Sequence, residues 1–213
     1  MIKRLISAII TLAVIMPIIY FGEIPFKIAI LLIALFGFIE YVNLETKIPN
    51  GAKMISMLCL AIIVFDNFEK TNLVSLINMR LIGIILLIHF CTSIFYNKDK
   101  DFNITKCFQL LGLILFLGIT FSIFVIVRNI DVWLFLYLIS IAIFTDIFAH
   151  AIGTLFGKHK VTEISPNKSW EGYIGGTLFG VLGSSIIYIT CIDPNINIFL
   201  IVLISFILSI IEN

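Results

Sequence analysis

Charged residues are scarce in this chain of 213 residues. Asp, Glu, Lys and Arg together make up 13% of it, hydrophobic residues make up 61%, and the mean hydropathy is +1.16. An ordinary soluble domain carries a charged fraction of about 25%. The composition therefore excludes such a domain and predicts a protein with several membrane spans.

The sequence also lacks the alternation of polar and apolar residues that is typical of a transmembrane β-barrel. Backbone groups in lipid must be hydrogen-bonded internally, so apolar runs of roughly 20 residues are expected to be helices. No soluble insertion, linker or repeat interrupts these runs. We therefore predict an all-α, polytopic transmembrane helix bundle that forms a single domain over residues 1–213. Its eight candidate spans are 5–22, 26–42, 53–66, 81–96, 107–127, 132–148, 172–191 and 196–211.

The first apolar run follows Lys3 and Arg4 and also fits a signal peptide. No small-residue cleavage site of A-x-A type follows it, whereas seven further runs do. We therefore interpret it as a retained helix.

The basic residues do not cluster into a strip that could follow a nucleic-acid backbone, and the net charge is only +1. With the amino terminus inside, ten of the 14 Lys and Arg residues fall on the cytoplasmic side of the eight spans and four fall outside. This bias predicts cytoplasmic placement of both termini. We expect a multi-pass protein of the cell membrane, without a nucleic-acid partner, whose segment 146–176 faces the cytoplasm.

Cysteine and histidine occur singly. The four cysteines show neither metal-ligand spacing nor a disulfide-like pattern, so we interpret them as small core or lipid-facing residues. His89 and His150 have no second ligand at metal spacing and are interpreted as ordinary hydrogen-bonded residues.

Polar residues concentrate in segment 146–176, where Ser165-Pro166 indicates a helix start. Serine is a good N-cap, and proline suits the first helical position. The helix is predicted to begin at Pro166 and to run through Lys168 and Glu171 into the next apolar run. Its free N–H groups and the charge of Lys168 in the first turn would form an anion site.

Small residues share the face of this predicted helix that carries Lys168 and Glu171. They are Gly172, Gly175 and Gly176. Their missing side chains allow close approach either by substrate or by a neighbouring helix, and both interpretations stay open. For the glycines at 180 and 183, helix packing is favoured.

Asp146 stands near the end of an apolar run that has no other charge from Val132 onward. A carboxylate at that depth is costly unless it is paired, lines a polar cavity or holds a metal; contact with interfacial water is the alternative. Lys158, Lys168 or a divalent cation brought by a nucleotide could pair with it. Lys158 also belongs to a basic group, K-H-K, that fits contact with lipid headgroups.

The order of these elements resembles the integral-membrane phosphatidate cytidylyltransferases, or CDP-diacylglycerol synthases. The resemblance rests on Asp146 with Ala149, on G-x-x-x-G-K from Gly153 to Lys158, and on S-P-x-K-[ST]-x-E-G-x-x-G-G over 165–176. Motif-level similarity covers about residues 144–183. His150 departs from the family, which more often has tyrosine there.

That resemblance implies transfer of a cytidylyl group from CTP to phosphatidate, which gives CDP-diacylglycerol and pyrophosphate and uses Mg²⁺. It implies catalytic roles for Asp146, Lys168 and Glu171, with Glu171 orienting Lys168. The substrate-binding residues that it implies are Lys158, Ser165, Ser169, Gly172, Gly175 and Gly176. A relative that cytidylylates another lipid, as CDP-archaeol synthase does, is a close alternative in substrate.

The family's later block, K-R-x(4)-K-D followed by H-G-G-x-x-D-R-x-D, does not occur in this sequence. The resemblance implies that the main metal ligands belong to that block, so we expect strongly reduced or absent activity from this chain alone. The chain would then be a truncated copy, a sequence cut at an arbitrary boundary, or one part of a split enzyme. Expected partners are CTP, phosphatidate, membrane lipid, and a second copy or a complementing carboxyl-terminal fragment.

Two other functions remain open. The chain could be a non-catalytic membrane protein, a relic or partner subunit, that binds a lipid headgroup or a nucleotide. A transporter is less favoured, because one polar hairpin does not make two related halves.

Overall fold

The computed structural model describes residues 13–44, 48–65, 79–96, 102–161 and 168–212. These residues are helical apart from short connections, which confirms the all-α prediction. The described helices are α1 (13–21), α2 (Glu23–Leu44), α3 (Asn50–Phe65), α4 (Met79–Phe95), α5 (Ile104–Ile130), α6 (Val132–Phe156), α7 (Trp170–Cys191) and α8 (Ile198–Glu212).

Four of these helices are long and apolar enough to cross a membrane, namely α2, α5, α6 and α7. The apolar helices α3, α4 and α8 have 16, 17 and 15 residues. At 1.5 Å per residue each is about 22 to 26 Å long, which is shorter than a hydrocarbon core of about 30 Å. The count of eight spans and the position of the termini therefore stay predictions.

The chain divides into two compact units, Met1–Asn129 and Ile130–Asn213. In the first unit α2 packs against α3, and α3 packs against α4. Close approach of α5 to α3 depends on Gly118, since a Cβ there would lie 2.8 Å from the Ile63 side chain. The prediction of a single domain stays a prediction.

A buried polar cluster joins three helices of the first unit. The His89 Nδ1 lies 2.9 Å from the carbonyl of Ile85, so Nδ1–H donates there and Nε2 accepts from the Ser56 hydroxyl at 3.2 Å. The Thr92 hydroxyl and the Cys107 thiol both donate to the His89 carbonyl. His89 is thus an ordinary hydrogen-bonded core residue, as predicted.

Arg128 caps the carboxyl end of α1. Its Nε donates to the Ile19 carbonyl at 2.9 Å, and its Nη2 donates to the Tyr20 carbonyl at 2.7 Å. Gly22, with a φ of +62°, ends the helix, and a Cβ there would overlap the guanidinium group. The arginine therefore satisfies helix-end carbonyls that the bend at glycine leaves free.

In the second unit α6 packs along α7, and α8 packs against both. Helix α6 begins at an N-cap, where the Asp131 carboxylate accepts from the N–H groups of Trp133 and Leu134. Buried hydroxyls connect the three helices. Tyr137 bonds Ser205 at 2.8 Å, Thr145 bonds Ser209 at 2.9 Å, and Ser185 donates to Ser205 at 3.3 Å.

Candidate active site

Helix α6 continues to Phe156, eight residues beyond the predicted end at 148. The predicted end of this span at 148 is therefore wrong, because the helical hydrogen bonds continue and the Gly157 N–H donates to the Gly153 carbonyl at 3.1 Å. Asp146 consequently lies within α6, about three turns before its end, and its side chain is exposed. His150 lies one turn further along the helix and is also exposed.

A short antiparallel hairpin connects the end of α6 to the start of α7. An isolated β-bridge joins Lys160 and Ser169. On either side of it, the Val161 N–H donates to the Lys168 carbonyl at 3.0 Å and the Trp170 N–H donates to the His159 carbonyl at 2.9 Å. We call residues 157–161 and 168–171 the hairpin ends. They bring the exposed residues Lys158 and Lys160 to the same place as Lys168.

Helix α7 begins at Trp170, and its N-cap is Ser169. The prediction of a helix from Pro166 is wrong in that Lys168 and Ser169 are not helical. The bridge holds this part of the chain extended, with Ser169 at φ −118° and ψ 151°. The Ser169 Oγ accepts from the Gly172 N–H at 3.1 Å. Lys168 thus lies just before the N-cap rather than in the first turn. Ser165 and Pro166 lie outside the described residues.

Glu171, in the first turn of α7, is bound by His159. The His159 Nδ1 lies 2.7 Å from the Glu171 Oε1, and the His159 N–H donates to Oε2 at 3.3 Å. The hydrogen bond from His159, followed by that from the Glu171 backbone N–H, lowers the pKa of the Glu171 carboxyl to about 2. The structure therefore pairs Glu171 with His159, which the sequence analysis had assigned only to the basic K-H-K group. The orientation of Lys168 by Glu171 stays a prediction.

The three glycines of the predicted site pack against α6. A Cβ on Gly172 would lie 2.7 Å from the Ala149 carbonyl oxygen, and one on Gly176 would lie 2.6 Å from the Ala149 Cβ. A Cβ on Gly175 would overlap Ile152. Helix packing thus accounts for all three, while a role in substrate approach stays a prediction. Gly180 and Gly183 likewise face α6, as expected.

Glu212, at the end of α8, is a residue that the sequence interpretation missed. Desolvation by surrounding protein and the negative charge of Asp146 raise the pKa of its carboxyl, whereas a hydrogen bond with Thr145 and the charge of Lys168 oppose that rise. Asp146 and Lys168 thus both lie within electrostatic range of Glu212. Ser205, Ser209 and Glu212 are spaced four and three residues apart and so share one face of α8. This spacing is a weak sequence signal from which Glu212 could have been predicted.

A sequence model of the Cytidylyltransferase family matches residues 2–213, which include every residue of this site. The chain belongs to the cytidylyltransferase family. It is 32% identical over 214 residues to a phosphatidate cytidylyltransferase of Staphylococcus haemolyticus, and the match covers 97% of this chain and 79% of the relative. Phosphatidate cytidylyltransferases of Staphylococcus epidermidis and Staphylococcus aureus are each 30% identical, over 97% of this chain and 78% of the relative. Membership makes the chain a nucleotidyltransferase.

A divalent cation at this site would need several oxygen or nitrogen ligands from the protein. Asp146 and Glu212 are two carboxylates within electrostatic range of each other. In the ranges that the structure describes, however, no group of three or more His, Cys, Asp or Glu residues could hold a metal ion. These residues do not form a metal site by themselves, and we assign no step to a metal.

The chemical capacity of the hairpin ends lies in their positive charge. Lys158, Lys160 and Lys168 carry ammonium groups, and the first turn of α7 adds the positive end of its dipole, while its N–H groups already have protein acceptors. An arrangement of this kind favours anions that carry several charges, such as phosphate esters.

Proposed function

We propose that this protein transfers the cytidylyl group of CTP to phosphatidate and so forms CDP-diacylglycerol and pyrophosphate. The observation that carries the proposal is the 30–32% identity, over 97% of the chain, to proteins named phosphatidate cytidylyltransferase.

We further propose that the enzyme is a multi-pass protein of the cell membrane with eight spans. In that topology both termini and the hairpin ends lie on the cytoplasmic side, where CTP is available.

In the proposed reaction a phosphate oxygen of phosphatidate attacks the α-phosphorus of CTP. A new phosphorus–oxygen bond forms, the bond from the α-phosphorus to the oxygen bridging to the β-phosphate breaks, and pyrophosphate leaves with that electron pair. Several negative charges meet in this step, so the protein's main contribution is to position and neutralise them. The ammonium groups of Lys158 and Lys168 and the N-terminus of α7 are suited to that task.

The remaining roles follow from position along the chain. The Ser169 hydroxyl, whose oxygen already accepts from the Gly172 N–H, can donate its proton to a phosphate oxygen. Asp146, exposed on α6, keeps its proposed catalytic role, and Ser165, which lies outside the described residues, keeps its proposed role in phosphate binding. Mg²⁺ belongs to the proposal as the ion that accompanies CTP and neutralises its phosphates, and we expect its main ligands outside the described residues.

The test is the conversion of radiolabelled CTP into a lipid-soluble product by membranes that contain this chain, with phosphatidate and Mg²⁺ supplied. We expect Lys168→Ala to lower the rate about 100-fold or more, as removal of one group that stabilises transition-state charge does elsewhere. Arg80→Ala is the matched control, because it removes an exposed positive charge from the amino-terminal end of α4, outside the candidate site.

The outcomes distinguish the proposed functions. Product that depends on Lys168 but not on Arg80 supports cytidylyl transfer to lipid by this site. Absence of product from well-expressed wild-type protein contradicts activity of this chain alone. In that case CTP binding without turnover would favour a non-catalytic binding protein, whereas recovery of activity with an added carboxyl-terminal fragment of a relative would favour a split enzyme.

A further inference from the structure

His159 is exposed, yet it makes three hydrogen bonds to α7. Its side chain is 78% exposed, whereas that of its partner Glu171 is 28% exposed. Three hydrogen bonds nevertheless link His159 to the first turn of α7. The imidazole and the backbone N–H each bind one oxygen of the Glu171 carboxylate, and the His159 carbonyl accepts from the Trp170 N–H.

These contacts fix the part of the chain that carries the lysines. Lys158 and Lys160 are the sequence neighbours of His159, and Lys160 is also bridged to Ser169. Lys168 is held through its carbonyl, which accepts from the Val161 N–H. Fixing His159 against α7 therefore fixes the backbone at all three lysines.

The pair is poorly placed to stabilise the whole fold. Ion pairs between exposed side chains contribute little to the free energy of unfolding, because water screens them. The affinity for substrate depends more strongly on such contacts, because lysine side chains that are disordered before binding must be ordered on binding, and this ordering weakens affinity. The contacts of His159 should therefore affect substrate binding more than thermal stability.

We propose that His159 is a positioning residue for the cytidylyl transfer proposed above. Through Glu171 and the first turn of α7 it holds Lys158, Lys160 and Lys168 at the helix N-terminus, where they bind the phosphates of the substrates. This inference rests on the proposed function, and it adds a residue that acts through the three lysines rather than on the reacting atoms.

The test compares His159→Ala with His159→Asn in membranes that contain the full chain. Asparagine can place a side-chain N–H near the position of the imidazole Nδ1, so it should preserve the contact with Glu171. We expect His159→Ala to raise the KM for CTP about three- to tenfold with little change in kcat, as loss of preorganisation predicts. His159→Asn should stay close to wild type. Thr190→Ala is the control, since it removes an exposed hydroxyl about 28 Å along α7 from Glu171.

A second measurement reports on the hairpin ends without substrate. Hydrogen exchange of peptides that cover residues 157–171 should become faster in His159→Ala, because the N–H groups of Val161 and Trp170 lose their protection, while the melting temperature changes little. Unchanged KM and exchange in His159→Ala would overturn the inference, and so would equal damage from alanine and asparagine or a loss confined to kcat. Wild-type protein that forms no lipid product would instead overturn the proposed function, and the inference with it.

Discussion

Replacing Gly176 by alanine tests the closest approach between α6 and α7. The added Cβ would lie 2.6 Å from the Ala149 Cβ and 2.7 Å from the Thr145 carbonyl oxygen. Neither atom is the end of a flexible side chain, so the two helices must separate to admit it. Overpacking of this kind costs about 1–3 kcal/mol.

The matched control is Gly112→Ala in α5, where an added Cβ meets nothing within 4 Å. Both substitutions gain the same helix propensity, about 0.5–1 kcal/mol, so their difference isolates the contact with α6. We expect Gly176→Ala to be less stable than Gly112→Ala by about 1–3 kcal/mol. For a chain of this length that corresponds to roughly 2–12 °C in melting temperature.

The assay is thermal unfolding of both variants in the same detergent and at the same heating rate, because irreversible unfolding makes an apparent melting temperature depend on the scan. Cytidylyl transfer measured in parallel should fall in Gly176→Ala, since separation of the helices displaces Asp146 relative to α7. Equal melting temperatures for the two variants would show that α6 and α7 are not this close, and would refute the packing explanation of the glycines.

Three further predictions follow from individual contacts. Gly22→Ala should lower stability by about 1–2 kcal/mol, because alanine disfavours a φ of +62° and its Cβ displaces the Arg128 guanidinium; a melting temperature equal to that of Gly112→Ala would contradict this. Asp131→Ala should cost about 1 kcal/mol by removing the N-cap of α6, and Asp131→Asn, which keeps an acceptor oxygen, should restore most of it in the same melting assay. The pKa of Glu171 is lowered in the fold from 4.5 to about 2, so its stabilising contribution is complete above pH 4.5 and is lost as the pH falls through about 2. Carbon-13 NMR of the Glu171 carboxyl should show that low titration midpoint in wild type and a midpoint closer to 4.5 in His159→Ala. A midpoint in His159→Ala that equals the wild-type value would exclude His159 as the cause of the lowered pKa.

Helix positions could be predicted well from the sequence because lipid imposes a simple condition on the chain. Every apolar run of sufficient length corresponds to a helix in the described residues, including the short run that became α3. Helix ends were harder to place. Apolar content does not stop at Phe148, and α6 continues until Gly157, where the chain turns into the hairpin ends.

The contacts of the candidate site could not be predicted from the sequence. Ser165-Pro166 is a good local signal for a helix start, yet the backbone bridge from Lys160 to Ser169 holds Lys168 and Ser169 extended, and the N-cap is Ser169. Pairing across a loop cannot be inferred from local propensity. For the same reason the partner of Glu171, which lies 12 residues earlier in the sequence, was missed.

The serines of α8 determine the rotation and the axial position of that helix, which its other residues leave undetermined. Leucine, isoleucine, phenylalanine and one valine fill 12 of its 15 positions. Such side chains pack nearly equally well at many rotations of the helix in an apolar environment. Hydrogen bonds require one orientation, so Ser205 with Tyr137 and Ser209 with Thr145 fix both the rotation and the axial position of α8. Glu212 follows less than one turn after Ser209, and its placement near Asp146 is therefore decided by hydroxyl groups buried deeper in the bundle.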